Sequence, residues 1–455
     1  MWRWRSARTR IGVMRRKIRN SLLLLALATP TAWADRGLLD IWKLAVQQDA
    51  QLAQAKAQYE ADRLQLKRAR AALLPQVNLN ATWADRESDL PNSGGDVRSR
   101  QISINAQQVL YNRKAWVAYD IAQQQVQQAA LAWRQAQQDL MVRVVKAYFD
   151  VLLSQADVRL TRALEQANRL QWQRALTAEK VGLAANTDVL QARSAYDLSR
   201  ADRIKAENGL NIAYENLAKL TGQRITALKS IGVDSALPPV QSNEAQWLQR
   251  ALENNLQLKI AAYQVTQARL NVALNKGDYL PTLALTAALT DTAYEGYDRR
   301  YASTFTDNRN RQVALQLNWP IYSGGLTRAT VEQARYQVNK ALAAERDLRE
   351  STALQVRVLV DNLRNGMALV EALRAAVVSS QAFLQAAEES HRVGLKSMLD
   401  VLSARANAHK AQRDLIAALN DLVINRINLE AVAGDLNEAD LARIESLLVA
   451  GDGPP

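Results

Sequence analysis

Four segments alternate apolar and polar residues with a period of two. Val77, Leu79, Ala81 and Trp83 interleave with Gln76, Asn78, Asn80 and Thr82; Ile102, Ile104 and Ala106 with Gln101, Ser103 and Asn105. Leu283, Leu285, Ala287 and Leu289 interleave with Thr282, Ala284, Thr286 and Ala288; Val313, Leu315, Leu317 and Trp319 with Gln312, Ala314, Gln316 and Asn318. This is the pattern of strands with one apolar face. Between them the period changes to that of a helix, as in Leu140, Val144, Ala147, Val151 and Val158. The stretches 113–180, 184–222, 326–392 and 396–433 contain no proline and are rich in good helix formers. Shorter helices are predicted over 39–73 and 245–279. The helix over 113–180 has 68 residues, about 100 Å at 1.5 Å per residue. Helices so long, with narrow Ala-rich stripes, pack as coiled coils.

The chain repeats itself. Val181-Gly182-Leu183 returns as Val393-Gly394-Leu395, and Asp188-Val189-Leu190-Gln191-Ala192-Arg193 as Asp400-Val401-Leu402-Ser403-Ala404-Arg405, both at an offset of 212. Asp49-Ala50-Gln51-Leu52 matches Asn255-Leu256-Gln257-Leu258, and Leu74-Pro75 matches Leu280-Pro281, at an offset of 206. A colinear series of matches reads as duplication. The expected organisation is a first repeat over 35–240, a second over 241–436, each ordered helix, strand pair, long helix, helix, and a tail over 437–455.

Composition narrows the chemistry. Of 455 residues none is Cys and two are His, His391 and His409. Disulfides, Cys-ligated metals and Cys nucleophiles are impossible, and with two His neither a multi-His metal site nor a His-based triad is expected. No phosphate loop or nucleophile elbow appears, so neither an enzyme nor a cofactor is expected. The Ser93-Gly94-Gly95 stretch reads as a loop between strands.

The net charge of +13 suggests nucleic acid until its location is considered. Eight of the 58 Lys and Arg lie in residues 1–20, ahead of the apolar run Leu22–Ala28 and Ala32-Trp33-Ala34. That order is a secretory signal peptide over 1–34, with Met14 as a second possible start. The chain beyond residue 34 carries 50 basic against 45 acidic residues, and the case for nucleic acid falls away. Nothing after Asp35 approaches the roughly 18 continuous apolar residues of a membrane-spanning helix.

Each alternating segment is close to the 9–11 residues of a tilted membrane strand. Trp83, Tyr111, Tyr279, Trp319 and Tyr322 fall near strand ends, where an aromatic girdle lies. Four strands cannot close a barrel, and open edges are not tolerated in lipid, so the barrel is expected to be shared. Two copies give eight strands and three give twelve. A soluble periplasmic coiled-coil adaptor or structural protein without a channel is the competing reading; a barrel protein needs detergent for extraction.

The chain resembles the TolC family of outer-membrane channels. The resemblance covers about 38–445 and rests on the duplicated V-G-L…D-V-L-x-A-R segments, the paired L-P strand starts, and Leu317-Asn318-Trp319-Pro320-Ile321-Tyr322-Ser323-Gly324-Gly325 entering a long helix. It implies a membrane α+β fold: a homotrimer whose long coiled-coil helices form a periplasmic α-barrel, each protomer adding four strands to one 12-stranded outer-membrane β-barrel. It further implies a periplasmic adaptor, an inner-membrane ABC or RND-type transporter, and outer-membrane lipid as partners, in type I secretion or multidrug efflux. The Gly182 and Gly394 turns then form the periplasmic entrance. Val181, Gly182, Leu183, Val393, Gly394 and Leu395 are expected to dock the adaptor. Asp400 aligns with a family aspartate that rings the closed pore, and the second acidic position of the tightest members is Ser403 here. A helix-capping role accounts for Asp400 equally well. Thr187, Asp188, His391 and Lys396 hold the positions of the family's closure links, and an Asp188–His391 link would loosen as the imidazole loses its proton. His409, in a polar mid-helix setting, is expected at the surface.

Overall fold

The computed structural model describes residues 36–87, 96–231, 243–296, 304–446 and 448–449. The expected signal peptide, the Ser93-Gly94-Gly95 loop and the boundary between the expected repeats at 240/241 lie outside these residues.

The first half contains α1 (Leu38–Gln48), α2 (Ala50–Ala71), β1 (Gln76–Arg86), β2 (Val97–Tyr111), α3 (Arg113–Lys180), α4 (Asn186–Thr221) and the short β3 (Ser230–Ile231). The second contains α5 (Glu244–Asn254), α6 (Leu256–Lys276), β4 (Thr282–Glu295), β5 (Asn308–Asn318), α7 (Leu326–Arg392) and α8 (Met398–Ala433). The chain continues into α9 (Glu438–Glu445) and β6 (Leu448–Val449).

Two expected helices are each broken into a pair, at Asp49 and at Asn255. Both residues leave the helical conformation, with ψ of 117° and 126°, and both side chains accept the N–H three residues ahead, at Leu52 and Leu258. A side chain that caps a new helix start makes a bend there stable. Asp49 is 5% exposed and receives both Arg143 Nη atoms from α3, at 2.9 and 3.0 Å. Asn255 donates to the Val432 carbonyl of α8 at 2.8 Å.

The four longer strands form one antiparallel sheet in the order β1-β2-β4-β5. Leu79 lies opposite Ile104, Ile104 opposite Leu289, and Leu289 opposite Arg311. One face therefore collects the apolar residues of all four strands. On β2 that face is exposed at Ile102 and Ile104, whereas Ser103 on the other face is buried.

The helices next to the sheet run in the order α2-α3-α6-α7, and those beyond the middle of α3 run α4-α3-α8-α7. The largest apolar cluster lies where these layers meet, with Leu38, Ile41 and Trp42 of α1, Tyr148 and Phe149 of α3, Leu217 of α4 and Leu441 of α9. The segment expected only as a tail thus contributes core. Its β6 pairs with β3, and Glu445 accepts the Leu39 N–H of α1 at 2.8 Å and the Lys229 ammonium at 3.2 Å.

Candidate functional site

The two hairpin turns at the far ends of α3 and α7 have the same geometry. In the first, the Gly182 N–H donates to the Glu179 carbonyl at 2.9 Å and the Leu183 N–H to Ala178 at 2.8 Å. In the second, Gly394 donates to His391 at 3.0 Å and Leu395 to Ser390 at 2.9 Å. These paired bonds close the last helical carbonyls and require a left-handed residue, supplied by Gly182 at φ 74° and Gly394 at φ 78°. No atom lies within 4 Å of where a Cβ would sit on either glycine, so backbone conformation alone selects glycine.

The turn leaves its flanking side chains outside. Val181 is 64% exposed, Leu183 83%, Val393 68% and Leu395 80%. Beside the first turn, Leu170, Arg174, Thr177, Val181 and Leu183 line an open groove of about 460 Å³. Apolar side chains so exposed at the tip of a hairpin form a surface suited to an apolar partner helix.

The helices after the turns start differently. Ala185 caps α4 without a side-chain bond. The matching residue, Ser397, forms a reciprocal capping box with Asp400: the Asp400 N–H donates to Ser397 Oγ at 3.2 Å, and Ser397 N–H and Oγ–H donate to Asp400 Oδ2 at 3.0 and 2.7 Å. The Ser397 bonds and the nearby Lys396 charge hold the Asp400 carboxyl below its ordinary range. Only one carboxylate oxygen is engaged. Asp188, at the same place on α4, has no such partner among the described residues. Thr187 and Ser403 are exposed.

Within the protomer, His391 is joined to Lys396 of its own turn. His391 Nδ1 lies 2.9 Å from the Lys396 carbonyl, which can only accept, so Nδ1 carries the proton. Lys396 Nζ sits 4.7 Å from the centre of the Phe383 ring.

The two hairpins are packed against each other by residues outside the expected site. Met398 of α8 is buried with Ala175 of α3 and with Val189 and Ala192 of α4. Arg405 reaches Asn168 on α3 and Glu388 on α7. The sequence carried a signal for Arg405, since it ends the duplicated D-V-L-x-A-R segment; Met398 had none.

His409 is not a surface residue. It is half-buried against α3, with an unpartnered Nε2. Burial lowers its pKa, with Asp157 and Asp202 opposing the shift and Arg413 adding to it. Its polar neighbours in sequence suggest solvent, but the fourth turn of α8 packs against a second hairpin that the sequence does not display.

No group of three or more His, Cys, Asp or Glu able to hold a metal occurs among the described residues. Comparison with known proteins accords with these features. The outer membrane efflux protein family matches twice, at 41–223 and 247–435. Outer membrane protein TolC of Vibrio cholerae is 31% identical over 93% of this chain and 96% of its own. Alkaline protease secretion protein AprF of Pseudomonas aeruginosa is 30% identical over 92% and 88%. The Campylobacter jejuni CmeC outer membrane channel has the same fold, with a TM-score of 0.74 at 15% identity over 97% of this chain and 98% of that one. The twice-repeated hairpin layers, the open four-stranded sheet and these matches make the chain a member of the outer membrane efflux protein family, the TolC-like outer-membrane channels.

Proposed function

We propose that this outer-membrane channel protein works as the exit duct of a tripartite export system, as a homotrimer. One observation carries the shared assembly, and the resemblance to trimeric channels sets its number at three. The sheet ends at β1 and β5, and the helical layer beside it ends at α2 and α7, which are continuous with those same strands. A neighbour seated on one side therefore closes both layers at once. The free edges are apolar: Val77 and Leu79 on β1, Val313 and Leu315 on β5, and Leu354 and Val378 on α7 are all more than half exposed. α7 even contains a window long and apolar enough for a membrane span. An edge helix waiting for its coiled-coil partner has the same composition. Three copies give twelve strands, a closed barrel without edges.

In this reading the two halves are duplicated units. The helix tips form the periplasmic entrance. Val181, Gly182, Leu183, Val393, Gly394 and Leu395 receive the adaptor, Asp400 and Ser403 line the constriction, and Thr187, Asp188, His391 and Lys396 contribute to closure between protomers. The pore conducts, and an inner-membrane transporter selects the substrate.

Type I protein secretion is favoured over drug efflux. Relatives named for protease secretion, AprF of Pseudomonas aeruginosa and PrtF of Dickeya chrysanthemi, align over more than 90% of this chain. The probable efflux pump protein TtgC of Pseudomonas putida aligns over 67% at 22% identity. Reconstitution of a heat-resistant trimer into a planar bilayer tests the duct: stepwise conductance is expected, and its absence from correctly assembled trimer overturns the proposal. Loss of protein export in a deletion strain, with drug sensitivity unchanged, is the expected sign of secretion; the reverse pattern assigns efflux.

A further inference from the structure

The apolar face of the sheet ends along a straight border of charge. On β1 it runs through Val77, Leu79, Ala81 and Trp83 and then meets Asp85; on β2 it passes from Ile104 and Ile102 to Arg100 and Arg98. On β4 it ends at Asp291 and on β5 at Arg311, followed by Arg309. The register makes this border regular. Asp85 lies opposite Arg98, Arg100 is two residues further along β2, Asp291 lies opposite Ile102, and Arg311 lies opposite Leu289, whose β2 partner is Ile104. The first charge thus shifts by two residues with every strand. A step of about 6.8 Å along the strand for each ~4.8 Å across is inclined by about 55° to the line across the strands. Barrel strands tilt by roughly 35–45°, so closure of the barrel brings this inclined border most of the way to a level ring.

The ring is at the strand ends farthest from the helices, and it faces the side of the hydrocarbon. Charge on a lipid-facing position is costly at the midplane and costs close to nothing at the interface. That gradient places the border where hydrocarbon gives way to headgroups. The opposite face of all four strands carries a single charge, Arg86. The cations in these strands are all arginine, with no lysine. Arg98 pairs with Asp85 at 3.5 Å, and Arg309 grips one oxygen of Asp291 at 2.9 and 3.0 Å. Arg100 and Arg311 are exposed and make no ion pair among the described residues.

We infer that Arg98, Arg100, Arg309 and Arg311 form an outward belt that binds the phosphorylated headgroups of outer-leaflet lipid. A guanidinium presents a planar fork that matches two phosphate oxygens, and it is more weakly hydrated than an ammonium. Two members of the belt already pair with carboxylates, and two are left to take the ligand. The inference rests on the outer-membrane barrel reading.

The test uses the full trimer in detergent, titrated with bisphosphorylated lipid A, the same lipid with its phosphates removed, and inorganic phosphate. Native mass spectrometry reads the occupancy. Wild type is expected to bind bisphosphorylated lipid A at least tenfold more tightly than the dephosphorylated lipid, and inorganic phosphate alone is expected not to compete at millimolar levels. The R100Q/R311Q variant is expected to lose that tenfold, and R86Q to keep it. Equal affinity for the two lipids, or equal binding by wild type and R100Q/R311Q, overturns the belt. Effective competition by inorganic phosphate overturns the headgroup assignment. A trimer that resists heat and conducts but shows no phosphate preference leaves the channel standing and removes only the belt. Should the double variant fail to assemble, the wild-type comparison of the two lipids decides alone.

Discussion

Ser397 Oγ lies 2.7 Å from Asp400 Oδ2, while the equivalent positions of the first repeat are Ala185 and Asp188 and make no such bond. One tip of each protomer thus starts its returning helix with a carboxylate that is tied down, and the other with a carboxylate that makes no such bond among the described residues. Substituting Ser397→Ala is expected to bring the Asp400 carboxyl back toward its ordinary value and to raise hydrogen exchange at Asp400 and Val401 roughly fivefold, the scale of a lost N-cap. The sign is fixed by the direction of the shift. A depressed carboxyl stabilises the tip above its unfolded value, and that contribution disappears as pH falls through the folded one. Exchange rates of wild type and S397A should therefore converge in acid. A constant ratio across pH would show that the charge plays no part.

Gly182→Ala and Gly394→Ala are each expected to cost about 1–2 kcal/mol at the hairpin turn, because an L side chain at φ above 70° meets its own backbone. Asparagine, which tolerates that conformation better, should cost less at both positions. Exchange at Leu183 and Leu395 reads the turn locally. Alanine variants as protected as wild type would mean that the turn has another accessible geometry.

Asp49 and Arg143 offer a buried test. Burial pushes the Asp49 carboxyl up, but the Arg143 guanidinium and the Leu52 N–H outweigh it and hold the group below its ordinary value. Its contribution is present above an ordinary carboxylate value of about 3.9 and is lost as pH falls through the depressed one. Asp49→Asn keeps a capping side chain and is expected to cost about 1–3 kcal/mol near neutral pH. Arg143→Met leaves the carboxylate buried without its partner and should cost more, about 3–5 kcal/mol. Thermal unfolding of both variants at pH 7 checks the order; a milder Arg143→Met would show that solvent reaches Asp49.

His409 is held neutral by its burial against α3. The unfolded chain takes up a proton at the ordinary imidazole value, near 6.5, and the folded chain does so only at lower pH. Stability is then expected to fall on acidification between those two values. His409→Gln should flatten the thermal midpoint between pH 7.5 and 5.5 relative to wild type. An unchanged slope would assign the acid sensitivity to other groups.

Much of this molecule is legible in one dimension. Helix and strand periods depend on which residues neighbour each other along the chain, so 113–180 and 326–392 emerge with the same ends in sequence and structure. The glycines at 182 and 394 are equally local, because a positive φ belongs to a single residue. Asp49 and Asn255 were visible as a matched pair in the repeat, yet the bends they cap were not, since a cap mid-pattern competes with an unbroken helix and packing settles the outcome.

What only the tertiary structure decided is what lies beside what. The sequence contains Ser397, His391 and His409 but not the Asp400 bond that engages one tip carboxylate, the Lys396 carbonyl that occupies the imidazole, or the second hairpin that buries His409. It contains four alternating strands but not their order, and the oblique line of first charges exists only once β2 is set between β1 and β4 in register. Side-chain periodicity is a property of the chain, whereas register, burial and ion pairing are properties of contacts between segments tens or hundreds of residues apart.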